Sequence, residues 1–162
     1  MAPEPVPSHL RSVTASLVVS PCADAIEFYR RAFGATEIEP RMTGPDGKIG
    51  HAELNIEGTV IMLADEWPGG PTVAPSTAGT TTVALFIYSD NAPTLWQQAI
   101  DAGAEVVFPY ELQFYGDEGG RLRDPFGHNW GIARHVEDVS PDEMARRMAA
   151  FYEESDSADG GG

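Results

Sequence analysis

The chain runs through the same order of elements twice. A β-branched run at 13–19 leads into a helical pattern at 24–33, where Ala25, Ile26, Phe28, Tyr29, Ala32 and Phe33 recur at three- and four-residue steps and Gly34 supplies the stop. Three extended segments follow, at 36–42, 51–56 and 59–64, joined by the turns Gly44-Pro45-Asp46-Gly47 and Glu57-Gly58. After a Pro- and Gly-rich stretch the order restarts. A strand at 81–88 precedes a helix that opens at Asp90 or Asn91, has Pro93 near its first position and stops at Gly103. A strand at 105–108, a Gly-rich turn at 114–120, a short strand at 121–123, the turn Asp124-Pro125-Phe126-Gly127 and a last strand at 129–133 complete the second unit. Gly34-Ala35 returns as Gly103-Ala104, 69 positions on, and Leu17 as Leu85, 68 on. A near-constant offset across two elements marks an internal duplication. A duplicated β-α-β-β-β unit leaves few folds open.

The chain therefore divides into an extended arm (1–11, with Pro3, Pro5 and Pro7), a first module (12–66), a linker or lid (67–80) and a second module (81–139). Ser140-Pro141-Asp142-Glu143 is a capping box that opens a further helix over 140–154. Its apolar residues Met144, Met148, Phe151 and Tyr152 fall at helical spacing, so it covers a sheet, its own in preference to a neighbour's. Residues 155–162 are polar and Gly-rich, the composition of a disordered tail. The fold class is α+β.

Charge excludes several partners. With 25 acidic and 10 basic side chains the net charge is −15, and no basic stripe exists to displace counterions from nucleic acid or to hold an anionic membrane. A single cysteine, Cys22, excludes an internal disulfide and fits a reducing compartment. The first residues have neither a basic n-region nor an apolar h-region, and no apolar run is long enough to span a bilayer, so a cytoplasmic protein is expected.

The tandem modules and the stretch Arg121-Leu-Arg-Asp-Pro-Phe-Gly-His-Asn-Trp130 resemble the vicinal oxygen chelate superfamily, that of glyoxalases, bleomycin-resistance proteins and extradiol dioxygenases. His51-Ala-Glu-Leu54, Leu63-Ala-Asp-Glu66, Asp124-Pro-Phe-Gly-His128 and His135-Val-Glu-Asp-Val139 resemble its PhnB-like branch, over about residues 12–150. The resemblance implies that each module curls its sheet into half of a cup, that paired modules enclose a cavity, and that the protein is a homodimer. It also implies a metal held by His or Gln on the first strand of each module and Glu on the last. By position these are Thr14, Met62, Thr82 and Gly131, none of them a ligand for a divalent cation, so no metal is expected.

Side-chain alternation assigns the lining of the cup. Ala52, Leu54 and Ile56 should face the helices, turning His51, Glu53 and Asn55 to the concave side, while Leu122 packs outward and Arg121 and Arg123 point inward or toward the rim. Ser16, Met62, Thr82, Ala84 and Phe86 complete the wall, and Trp67 either closes over it or covers a module seam. His51 and Glu53 could form a proton-transfer pair or, more simply, a cross-strand hydrogen bond. Arg121 and Arg123 could hold an anion, or pair with Glu53 or Glu111. His128 reads as a turn-stabilising residue. Cys22 sits at a helix start, where a dipole lowers a thiol pKa, but without a partner it reads as structural. The leading expectation is a protein that binds a small organic ligand without metal. The alternatives are a metal-dependent lyase, isomerase or dioxygenase with a relocated site at His51 and Glu53, and a metal-free acid–base enzyme using Arg121 or Arg123 to steady an oxyanion.

Overall fold

In the computed structural model, which describes residues 5–159, the expected modules form. The first comprises β1 (Ser16–Val19), α1 (Cys22–Phe33), β2 (Thr36–Thr43), β3 (Ile49–Ile56) and β4 (Thr59–Asp65). A single turn of helix, α2 (Pro75–Ala78), stands between the modules. The second comprises β5 (Ala84–Tyr88), α3 (Ala92–Ala102), β6 (Glu105–Leu112), β7 (Asp117–Arg123) and β8 (Asn129–His135), and α4 (Pro141–Asp159) follows. Each module has one four-stranded mixed sheet, in the orders β1-β4-β3-β2 and β5-β8-β7-β6. The outer pairs β1/β4 and β5/β8 are parallel, and the rest are antiparallel.

Chemistry shared by the two halves explains their shape. Both helices end on a left-handed glycine, Gly34 at φ 63° and Gly103 at φ 114°, a region that L side chains avoid. Pro40 and Pro109 stand 69 positions apart on β2 and β6, the edge strands, and the ladder register breaks at both. A proline has no N–H to give a ladder, so an edge is where a strand tolerates it. The N-terminus of α1 has no side-chain cap of its own. Asp65 at the end of β4 supplies one, accepting the Cys22 N–H at 2.9 Å and the Ile49 N–H at 2.7 Å.

Several boundaries differ from the sequence expectation. β1 and β5 begin at Ser16 and Ala84, three residues later than expected, and Val13 and Val83 ahead of them are exposed. The supposed Gly-rich turn is largely strand β7. Gly120 is there because any Cβ would collide with the Trp96 ring of α3 and with the backbone of β6. The linker is pinned: the Glu66 carboxylate accepts the Ala74 N–H at 3.0 Å and the Thr77 hydroxyl at 2.6 Å. α4 continues to Asp159, past the expected end at 154, and residues 160–162 of the expected tail lie outside the described residues, as do 1–4 of the arm.

The modules meet helix to helix, α1 against α3, and among the described residues no strand of one sheet pairs with a strand of the other. Tyr29 and Phe33 of α1 pack on Trp130 of β8, with ring centroids 5.3 and 4.7 Å apart. In this apolar seam lies Asp124, 4% exposed. Its Oδ2 accepts the Tyr29 hydroxyl at 2.7 Å and the Trp130 indole N–H at 2.9 Å. Its Oδ1 accepts the backbone N–H groups of Phe126 and His128, both at 2.9 Å. Burial and the neighbouring Asp124 charge push the Tyr29 hydroxyl well above its ordinary pKa, so it stays a donor. His128 adds a second tie, with Nε2 3.0 Å from the Val18 carbonyl oxygen of β1.

Four donors converge on one buried carboxylate, so exchanging an oxygen for an amide sets N–H against N–H. Asp124→Asn should lower unfolding free energy by about 3 kcal/mol and Tm by roughly 10 °C, with Tyr29→Phe losing less. Urea and thermal melts check this; a loss below about 0.5 kcal/mol, the range of an ordinary surface substitution, would contradict the role given to Asp124.

Candidate functional site

The face of the second sheet away from its helix is built in cross-strand rows. Ladder register sets Phe86 of β5 opposite Gly131 of β8, Gly131 opposite Arg121 of β7, and Arg121 opposite Phe108 of β6. A Cβ on Gly131 would run into the Phe86 ring, so the glycine lets that ring lie flat on the sheet. The Arg121 guanidinium carbon sits 5.3 Å from the Phe86 ring centroid and 5.9 Å from that of Phe108, inside the range where a ring face attracts a cation. Phe86 is 49% exposed and Phe108 58%. The next row sets Ala84, Asn129, Arg123 and Glu105 side by side. Asn129 Oδ1 is buried there without a hydrogen-bond donor.

Three cavities adjoin this face. One of about 400 Å³ lies over the Phe86–Phe108 row, with Tyr88, Tyr115, Arg121 and Phe151 among its walls. A second, about 330 Å³, opens at the next row between α2 and the Asp124–Gly127 turn and includes Arg123 and Asn129. The third, about 470 Å³, lies at the seam of the modules, where Val13, Ala15 and Val60 face Leu85, Phe86 and Tyr88. Phe86 and Tyr88 thus wall both the seam and the second-sheet cavity.

A chain of polar groups closes the far end of the face. Tyr88 donates its hydroxyl to Asp117 Oδ2 at 2.7 Å. His135 sets Nδ1 2.7 Å from Asp117 Oδ1 and Nε2 3.0 Å from Asp138 Oδ1. Carboxylates only accept, so both ring nitrogens carry protons and the imidazolium is the form that fits. The Asp117 bond, then the Asp138 bond, raises the His135 pKa, and the Asp117 bond also pushes Tyr88 up to about 12. Sequence reasoning gave His135 no role. Its spacing to Asp138 was visible, but the partner Asp117 is brought in by β7–β8 register.

The first sheet shows the expected alternation: Ala52, Leu54 and Ile56 are buried against the helices, and His51, Glu53 and Asn55 are half-buried on the other side. His51 Nε2 lies 3.2 Å from Glu53 Oε1, and His9, swung in from the N-terminal arm, sets its Nε2 3.0 Å from Glu53 Oε2. Asn55 Oδ1 closes the β3–β4 turn by accepting the Gly58 N–H at 2.9 Å. Ser16 pairs in register with Met62 at the β1/β4 edge. Thr82 is exposed ahead of β5, and Trp67 is exposed and walls none of the three cavities. Neither Glu53 nor Glu111 pairs with the arginines. Cys22 is fully buried, and burial, reinforced by Asp65, pushes its thiol up to about 12, so position at a helix start confers no thiolate character.

The metal shell implied by the resemblance does not fit these residues. Thr14 lies ahead of β1, its hydroxyl on the Arg11 carbonyl oxygen, and Thr82 lies ahead of β5. Register places Ser16 beside Met62 and Phe86 beside Gly131, so the positions that face one another carry a hydroxyl, a thioether, an aromatic ring and no side chain. No hard or borderline divalent cation is held by such a set. Among the described residues no group of three His, Cys, Asp or Glu side chains is spaced for a metal ion. His9, His51 and Glu53 are bonded to one another instead of opened around a common point.

A sequence model of the glyoxalase/bleomycin resistance protein/dioxygenase superfamily matches residues 9–132. An uncharacterized protein of Mycobacterium bovis is 41% identical over 137 residues, covering 83% of this chain and 90% of the relative. Among solved structures, TioX from Micromonospora sp. ML1 superposes with a TM-score of 0.63 at 24% identity, over 78% of this chain and 99% of TioX. A PhnB protein from Bacillus cereus superposes with a TM-score of 0.59 at 18% identity, over 76% and 99%. At those identities the two structures speak to the fold.

The His135 bridge carries a signed pH dependence. Its folded pKa lies above the ordinary value near 6.5, so the stabilisation is fully present below that value and fades as pH rises through the folded pKa. The stability gap between wild type and His135→Gln should be widest near about pH 5.5 and close toward about pH 9. Melts across that range check it; a gap independent of pH would contradict a charged His135.

Proposed function

This chain belongs to the glyoxalase/bleomycin resistance protein/dioxygenase superfamily, and within it we propose a metal-free binder of a small organic molecule, held on the concave face of the second sheet. The observation that carries the reading is the Phe86 ring lying on Gly131, where the resemblance places the metal-binding carboxylate of the second module. An apolar platform flanked by a few polar groups, in a cavity of about 400 Å³, has the size and character of small-molecule sites, roughly 300–1,000 Å³.

A second copy of the chain completes the cup. The modules use their helices to pack on each other, which leaves Met42 on one sheet and Phe86, Tyr88, Phe108 and Leu112 on the other exposed. An apolar face of that extent is a contact surface. A closed two-fold arrangement brings a first module over a second one and encloses the ligand. A cytoplasmic setting suits a chain with one buried cysteine and, among the described residues, no helix long and apolar enough to cross a membrane.

One observation favours a second reading, a metal-free acid–base enzyme. Glu53 holds two imidazoles at 3.0 and 3.2 Å, and its side chain is only 15% exposed. A carboxylate between two histidines can relay a proton. Under that reading a turnover found by substrate screening would depend on pH between about 5 and 8 and be lost in His51→Ala.

For the leading reading, purified protein should sediment at twice the 17.4 kDa chain mass and bind at least one member of a metabolite and antibiotic panel saturably. Phe86→Ala should weaken that binding about tenfold, the worth of one well-placed aromatic contact. A monomer at all concentrations would contradict the cup, and no saturable ligand would contradict the binding role.

A further inference from the structure

Charge on the second sheet points to the class of ligand. Five arginines, Arg30, Arg41, Arg134, Arg146 and Arg147, hold carboxylates at 2.6–3.4 Å. In a chain with 25 acidic and 10 basic side chains, carboxylates are abundant. Of the four arginines that hold none among the described residues, Arg11, Arg31, Arg121 and Arg123, only the last two line any of the three cavities. Among the described residues neither guanidinium has a hydrogen bond or an ion pair, although both stand on the cavity face two residues apart and Glu111 and Glu105 occupy the neighbouring strand.

Arg121 is nonetheless held in place. The rings of Phe86 and Phe108 flank its guanidinium at 5.3 and 5.9 Å. Contact with ring faces fixes the guanidinium plane without using the N–H groups at its edge, so the fork remains free for a planar oxyanion. The same rings, with Tyr88 and Tyr115, offer flat apolar walls beside it. One row away Arg123 stands opposite Asn129, whose buried Oδ1 lacks a donor. A buried acceptor left without a donor is costly, and Arg123 sets an exposed guanidinium beside it.

We propose that the ligand is an aromatic carboxylate, its ring lying against Phe86 and Phe108 and its carboxylate bound by the free edge of Arg121, with Arg123 and Asn129 receiving a polar substituent. The assignment rests on the proposed binding role and adds the sign of the ligand's charge. Attraction on this face is local, since the net charge of −15 repels anions from the rest of the surface. Selection for a negative ligand must therefore come from these two side chains.

Naphthoate, naphthamide and naphthylmethylammonium share one ring system and carry negative, neutral and positive groups, so their dissociation constants by titration calorimetry isolate the charge. Naphthoate should bind about tenfold tighter than naphthamide, the margin of one charge-assisted hydrogen bond pair over a neutral one, and the cation weakest of all. Arg121→Gln should abolish the preference, and Arg121→Lys should keep part of it, because charge survives and the planar fork does not. Circular dichroism confirms that each variant is folded. Equal binding of all three compounds would overturn the anionic assignment while leaving the binding role intact. Tightest binding of the cation would assign the site to Glu111 and overturn it as well. A preference that persists in Arg121→Gln would remove Arg121 as its source. Absence of binding by all three would overturn the assignment and count against the binding role together.

Discussion

One buried carboxylate ties the halves of this molecule together. Asp124 sits where an apolar seam would otherwise reject a charge, and it remains because four donors from three parts of the chain end on its two oxygens. The Tyr29 hydroxyl brings α1 of the first module. The Trp130 indole brings β8 of the second. The two backbone N–H groups hold the 124–128 turn, from which His128 reaches back to Val18. Everything on the concave side follows from where β8 is set. Its register decides that Gly131, not a side chain, lies between Phe86 and Arg121.

That placement links fold to function. A duplicated sheet that curls presents a concave face, and what covers the face decides its chemistry. On the second sheet an aromatic row with an arginine in it occupies the ground where the superfamily resemblance puts a metal ligand. The forces available there are ring stacking, cation–π contact and a charge-assisted hydrogen bond, which suit the planar organic ligand proposed above. The first sheet carries the ionisable cluster of His9, His51 and Glu53 instead. The two faces thus differ in character although their sheets share one strand order, and a dimer that sets one over the other would combine them.

Much of this was legible in the residues, and the exceptions have physical causes. Helix α1 showed itself by periodicity and its glycine stop, and β3 by strict alternation, because both patterns are read within one element. The duplication was visible through Gly34 and Gly103, whose left-handed conformation is demanded by the local backbone alone. The first part of β7 was hidden, since a strand containing Gly119 and Gly120 looks like a turn until the Trp96 ring that needs the space is known, and only 121–123 read as strand. The starts of β1 and β5 were misjudged because β-branched residues such as Val13 and Val83 favour extended backbone whether or not a partner strand is there. The Asp124 hub and the His135 bridge join residues up to 95 positions apart, and no local signal announces such partners. Alternation set Arg121 and Arg123 on one face, inward or toward the rim, but their lack of a carboxylate partner emerged only in three dimensions.

Under the proposed function side chains, not a metal, furnish the concave face, and metal stoichiometry decides the point. Untagged protein would be incubated with zinc, nickel, manganese and ferrous ions in turn, passed through a desalting column, and analysed for metal per chain. Well under about 0.1 equivalent of each is expected, because a thioether, a hydroxyl, a ring and a glycine cannot hold a divalent cation. About one equivalent that survives desalting, and is lost from a variant at Ser16, Met62 or Gly131, would contradict it.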